Sequence, residues 1–165
     1  GKGKIIGLNP GAGSRWQYKK WTTAGYIKLT RRLVALGYKV LLYGGENESS
    51  LVGKIKNSAP EAISAGTSHN LRDFFAMLNL SDLLVTGDTL AMHAALGLRK
   101  KVVAIFGPTS ASEIEMYGRG IKIITPAPCS PCYMPRCLKK PDCMSMVKPA
   151  EVERAVIEVL SSVRP

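Results

Sequence analysis

Short apolar runs alternate along the chain with stretches in which apolar residues recur every three or four positions. This alternation predicts strands and helices in turn, and hence a parallel α/β sheet. The first strand pattern is Lys4-Ile5-Ile6-Gly7-Leu8. Thr22 or Thr23 then caps a helix with Tyr26, Leu29, Leu33 and Leu36 on its apolar face and Gly37 as its stop. Residues 39–43 form a second strand, closed by Gly44-Gly45, and Leu51, Val52 and Ile55 mark a short second helix. Residues 61–64 give a weak third strand. Asn70, with Asp73 at the capping-box offset, opens a helix carrying Leu71, Phe74, Phe75 and Leu78. Residues 82–86 read as a strand, residues 89–96 as a helix, and residues 101–106 as the clearest strand of all. A last strand covers 121–124. Pro149 then opens a helix with Val152, Ala155, Val156, Val159, Leu160 and Val163 at helical spacing.

A chain of 165 residues with 45% hydrophobic composition fits one globular domain, residues 1–165. No apolar run approaches the length of a membrane span, and no signal peptide opens the chain. The chain starts without Met, directly on a strand pattern, which predicts a segment of a longer protein. The net charge of +11 favours anionic partners such as nucleotide phosphates or lipid headgroups; a merely solvated basic surface is the alternative. No nucleic-acid-binding motif accompanies the charge, so nucleic acid is not the expected partner.

In an open parallel sheet, ligands bind outside the carboxyl ends of the strands. Four of the loops leaving those ends have unusual compositions. The first, Asn9-Pro10-Gly11-Ala12-Gly13-Ser14-Arg15-Trp16, offers freed backbone amides beside a hydroxyl and a cation, the parts of a phosphate cradle. It matches neither the P-loop nor the dinucleotide spacing, and a tight strand-to-helix turn explains it equally well. Glu48, after Gly44-Gly45, could accept from two ribose hydroxyls or simply start a helix. Asp88 and Thr89 stand at a helix start, where free amides and the helix dipole favour an anion, with His93 one turn later. The alternative is an Asp cap followed by a core His. The fourth loop is Gly107-Pro108-Thr109-Ser110.

All four cysteines, Cys129, Cys132, Cys137 and Cys143, fall within one Pro- and Met-rich stretch. Four thiolates at this spacing could hold a structural zinc, while locally packed free thiols are the alternative.

Taken in order, "NPGAGSRW", "WT" at 21, "GGENE", "NLRDFFAMLNLSDLLVTGDTLAMHAALG", "VVAIFGPTS", the cysteine run and "VKPAEV" resemble the family 9 glycosyltransferases, the lipopolysaccharide heptosyltransferases. The resemblance implies a Rossmann-like doubly wound parallel sheet, the C-terminal, donor-binding half of a GT-B fold. It implies an ADP-sugar donor, heptose-like, and inverting transfer to a lipopolysaccharide or other envelope glycan acceptor, with no cofactor needed for the chemistry. The acceptor site and the catalytic base would lie in an N-terminal domain outside this chain, so this segment alone would be inactive. Carried over by position, the Ser14-Arg15-Trp16 loop would face the donor phosphates, with Gly11 also donor-binding, and Glu48 would hold ribose. Asp88, Thr89 and His93 would contact the sugar diphosphate, and His69, between Ser68 and Asn70, would border adenine. Many relatives carry Lys where this chain has Ser14, leaving Arg15 or Lys19 to supply the phosphate charge. Relatives usually carry Gly where this chain has Leu90, a difference that bears on the sugar. The location implied is cytoplasmic, peripheral at the inner face of the bacterial membrane. Two other classes of function remain open, a nucleotide- or RNA-binding module and a zinc-stabilised interaction domain.

Overall fold

The computed structural model describes residues 3–13 and 16–162. Its elements follow the expected alternation: β1 (Ile5–Asn9), α1 (Thr23–Ala35), β2 (Lys39–Leu42), α2 (Ser49–Ser58), β3 (Ile63–Ser64), α3 (Leu71–Leu78), β4 (Leu83–Gly87), α4 (Leu90–Gly97), β5 (Lys101–Phe106), β6 (Gly120–Ile124) and α5 (Pro149–Ser161). The strands form one sheet in the order β3-β2-β1-β4-β5-β6, and every pairing is parallel. The order reverses between β1 and β4, which opens a crevice at their carboxyl ends.

Alternate strand residues feed two separate cores, as a sheet covered on both faces requires. Ile6, Leu8, Leu83, Val85, Val103 and Ile105 pack under α1, α2 and α5. Leu84, Val102, Ala104 and Phe106 pack under α3 and α4. Thr22, rather than Thr23, caps α1, its hydroxyl accepting from the Gly25 amide at 3.0 Å. Asn70 caps α3 by accepting from the Asp73 amide at 3.0 Å. α5 is held on α1 by the Arg32–Glu153 ion pair, and the chain leading into it is tied down by Trp21 Nε1, which donates to the Val147 carbonyl at 3.1 Å.

Three expectations need correction. The third strand is two residues long rather than four, and Ile63 is exposed; at a sheet edge, little packing rewards a longer pairing. Leu36 lies beyond the last turn of α1 and is exposed, because the chain already turns there towards Gly37. Leu71 belongs to α3 but faces out of the core. Val163 lies outside the described residues.

Tyr26 is fully buried, and its hydroxyl donates to the Asn9 carbonyl at 3.1 Å. Burial pushes its phenol well above the ordinary value. The neutral form is thus favoured by folding. That stability is intact below the unfolded phenol value of about 10 and is lost as pH rises beyond it. Tyr26→Phe should cost about 0.5–1.5 kcal/mol at neutral pH through the lost hydrogen bond. It should also flatten the fall in melting temperature between neutral pH and about pH 11. Identical alkaline slopes for the two proteins would refute this; Tyr43, raised chiefly by burial, retains its own share in both.

Candidate functional site

A cavity of about 400 Å³ opens at the carboxyl edge, walled by the loops that follow β1, β2, β3 and β4. Asn9, Gly11, Gly45, Glu48, His69 and Thr89 reach it, as do the apolar side chains of Leu71, Phe74 and Leu90.

The floor is built from polar residues at strand ends. Asn9 Nδ2 donates to Thr86 Oγ1 at 3.3 Å, and that hydroxyl shares a 2.9 Å bond with Thr89 Oγ1. With the Tyr26 bond to the Asn9 carbonyl, this fixes Thr89 at the mouth of α4. Thr89, not Asp88, is the cap residue by position; its backbone is extended and its side chain makes no capping bond.

Glu48 is the most constrained charge in the wall. It ends the 3₁₀ turn Glu46–Glu48 that heads α2 and is only 8% exposed. Its Oε2 accepts from the Gly45 amide at 3.2 Å while its own amide donates back to the Gly45 carbonyl at 2.9 Å. Its Oε1 has no hydrogen-bond partner, and Lys20 Nζ stands 3.9 Å away. Gly11 has to be glycine here, since a Cβ would fall 2.7 Å from Glu48 Cγ. The helix-start and ligand readings of Glu48 are therefore compatible, with one oxygen engaged in the turn and the other left over.

His69 stacks on Phe74, with ring centroids 5.7 Å apart and planes 9° from parallel. Its buried Nε2 also lacks a partner. Two unpartnered buried polar atoms in one cavity call for a ligand or solvent, since such groups are costly when left bare.

Lys19 and Asp88 face each other rather than the cavity. Lys19 Nζ donates to Asp88 Oδ2 at 2.7 Å, and Thr109 Oγ1 donates to the same oxygen at 2.9 Å. The ammonium also lies 5.3 Å from the Trp16 ring centroid. Loops from β1, β4 and β5 are thereby tied together.

His93 does not join this group. It is exposed and lines a second cavity of about 630 Å³, with Arg99, Glu113 and Arg119. His93 does follow Thr89 by one turn, its amide donating to the Thr89 carbonyl at 3.4 Å, but the Thr89 hydroxyl is drawn to Thr86 Oγ1 and the imidazole stays in solvent, so the two side chains do not meet in one cavity. The alternative of a core His fails too. Ser14 and Arg15 lie outside the described residues.

Zinc is not supported. Among the described residues no three His, Cys, Asp or Glu side chains are arranged to hold one ion. Cys143 is buried and Cys132 exposed, so the four thiols differ widely in environment. The thiols instead line a largely apolar groove of about 490 Å³ beside Gly107 and Pro108.

Sequence reasoning missed Asn9, Thr86 and Tyr26 as the support of Thr89, and Phe74 as the platform of His69. A signal existed for the first two: each is a polar residue at the end of an apolar strand.

The model of glycosyltransferase family 9 (heptosyltransferase) matches residues 1–142. Lipooligosaccharide heptosyltransferase 2 of Campylobacter jejuni serotype O:6 is 29% identical over 157 residues, covering 90% of this chain and 49% of that protein. The crystal structure of a family 9 glycosyl transferase from Veillonella parvula superposes with a TM-score of 0.79 at 23% identity, over 95% of this chain and 46% of that one. The E. coli ADP-heptose lipopolysaccharide heptosyltransferase II gives 0.74 at 20% identity, over 95% and 46%. The chain thus spans about half the length of these proteins.

Proposed function

This chain belongs to glycosyltransferase family 9, and from that premise we propose that it holds the nucleotide-sugar donor, an ADP-heptose-like molecule, for inverting transfer to a glycolipid or other envelope glycan. The observation that carries the reading is the buried, unpartnered Oε1 of Glu48 in the wall of a cavity at the switch point of the sheet. A carboxylate can accept two ribose hydroxyls, and Oε1 is the oxygen left without a hydrogen bond. His69 and Phe74 provide a flat border for the base, and Nε2 a polar contact to it. The Gly11 loop and the start of α4 at Thr89 turn backbone amides towards the diphosphate. The E. coli relative, which uses ADP-heptose by its name, supports adenine as the base.

In the reaction an acceptor hydroxyl oxygen bonds to the anomeric carbon as the bond to the diphosphate oxygen breaks on the opposite face. In this reading the acceptor proton passes to a base supplied from outside this chain. The residues of this chain orient the donor and stabilise the charge left on the ADP. Leu90, 58% exposed at the cavity rim where relatives usually carry Gly, bears on which sugar fits. Working on a glycolipid would put the protein at the inner face of the membrane; no helix among the described residues is long and apolar enough to cross it.

Calorimetric titration with ADP, UDP and GDP tests the reading. Saturable ADP binding stronger than that of the other two is expected. Absence of binding by all three at millimolar concentration would remove the donor site.

A further inference from the structure

We propose that the loop Tyr133–Lys140 is a docking surface for an anionic lipid membrane. This goes beyond donor binding and stands independently of it.

The loop belongs to the segment that leaves the carboxyl end of β6, and its base is firmly held. Ser130 Oγ donates to the Gly107 carbonyl at 2.6 Å, and the amides of Cys132 and Tyr133 donate to the Pro108 carbonyl at 3.1 and 2.8 Å. The Ser110 amide donates to the Tyr133 hydroxyl at 3.1 Å, and that hydroxyl donates to Glu113. The segment is thus anchored on the exit loop of β5, which also carries Thr109 of the Lys19–Asp88 network. Its tip therefore stands on the same edge of the sheet as the donor cavity.

Beyond this anchor the side chains point to solvent. Leu138 is 95% exposed and Met134 58%, while Tyr133, its hydroxyl held at the anchor, still leaves 44% of its surface exposed. Single exposed apolar residues are ordinary, but here three occur within six residues beside an apolar groove that Met134 and Leu138 themselves line. Arg136, Lys139 and Lys140 are interleaved with them, all exposed, and residues 133–140 contain no acid.

Apolar tips among cations are the composition that partitions into the headgroup region of an anionic bilayer. The apolar groups enter the acyl boundary and the basic groups stay with the phosphates. A second copy of the chain fits less well. A symmetric dimer through this loop would bring the three cations of one copy against the same three of the other. Docking here would bring the crevice edge down to the membrane surface.

The test is co-sedimentation of the chain with vesicles of phosphatidylcholine alone and of phosphatidylcholine mixed with phosphatidylglycerol, at low and high salt. Binding to the mixed vesicles, weakened by salt, is expected. Each basic residue near such a surface is worth about fivefold (about 1 kcal/mol), so Lys139→Gln/Lys140→Gln should lower partitioning roughly 25-fold. Met134→Ser/Leu138→Ser should lower it further while leaving its salt dependence unchanged. Lys28→Gln/Lys54→Gln removes the same charge from other exposed sites and should have a much smaller effect. The proposal is overturned if mixed vesicles do not bind the chain, or if the two lysine pairs give equal losses. Sedimentation equilibrium showing a dimer that Leu138→Ser dissolves would assign the surface to a second copy, and would equally overturn it.

Discussion

Glu48→Gln should weaken ADP binding by about ten- to a hundredfold while leaving melting temperature unchanged or slightly raised. Glutamine keeps the shape, and its carbonyl oxygen can still accept from the Gly45 amide, as Oε2 does now. What it loses is the charge and the second acceptor, because its amide group would meet ribose hydroxyls with another donor. Loss of a charge-assisted bond costs about 1.5–3 kcal/mol, and about 1.4 kcal/mol is one decade of affinity. Stability should not fall, since the buried Oε1 has no hydrogen bond in the free protein and its desolvation is a standing cost. The nearby Lys20 ammonium at 3.9 Å offsets part of that cost. Calorimetry with ADP and thermal melting of the same sample read both quantities. Wild-type affinity would detach Glu48 from the nucleotide, and a large drop in melting temperature would make it a structural carboxylate.

The largest effect on stability is expected from Gly120→Ala. Gly120 opens β6 opposite Val102 of β5. A Cβ there would sit 1.9 Å from the Val102 carbonyl oxygen and 2.7 Å from Met116 Cε. The first contact is with the backbone of a central strand, which no rotamer change relieves, so β6 would have to shift off its register. A cost of about 3 kcal/mol or more follows from such strain, which for a chain of this size lowers the melting temperature by about 6–12 °C. Gly53→Ala is the control. Gly53 lies inside α2 with nothing within 4 Å of its Cβ position, so the change should stabilise by about 0.5–1 kcal/mol. Equal melting of the two variants would refute the account.

The strands were readable because their apolar runs serve two buried faces at once, a demand that local composition records directly. β5 runs over residues 101–106 in both the pattern and the structure. β3 was the weakest reading and proved the shortest strand, since an edge leaves little pattern to read. The caps at Thr22 and Asn70 were legible because a cap bonds three residues away. The site was legible only as a set of loops. Glycines and polar residues after each strand mark the edge, but nothing local says that Lys19 meets Asp88 or that Glu48 meets Gly11. Those contacts span tens of residues and are set by strand order. His93 shows the opposite limit: the local spacing from Thr89 holds in the backbone, but it does not say which cavity each side chain reaches. For the cysteines, spacing does bring all four to one groove, but it does not set how their sulfurs are arranged there, and among the described residues no three are arranged to hold an ion.

The bridge from Lys19 through Asp88 to Thr109 bears on how a ligand would be met. A free lysine side chain gives up on the order of 1.5–2 kcal/mol of rotamer freedom when it is fixed. Here Asp88, not a ligand, fixes it, so that loss is incurred once, during folding. Lys19, Asp88 and Thr109, on loops from three separate crossovers, are fixed against one another before anything binds, and capture of a donor need not order them again. The preorganised part of the crevice behaves as a rigid mould rather than a closing hand. Amide protons around Gly87–Thr89 would accordingly exchange slowly in the empty protein, as befits a segment whose opening must break an ion pair along with its strand.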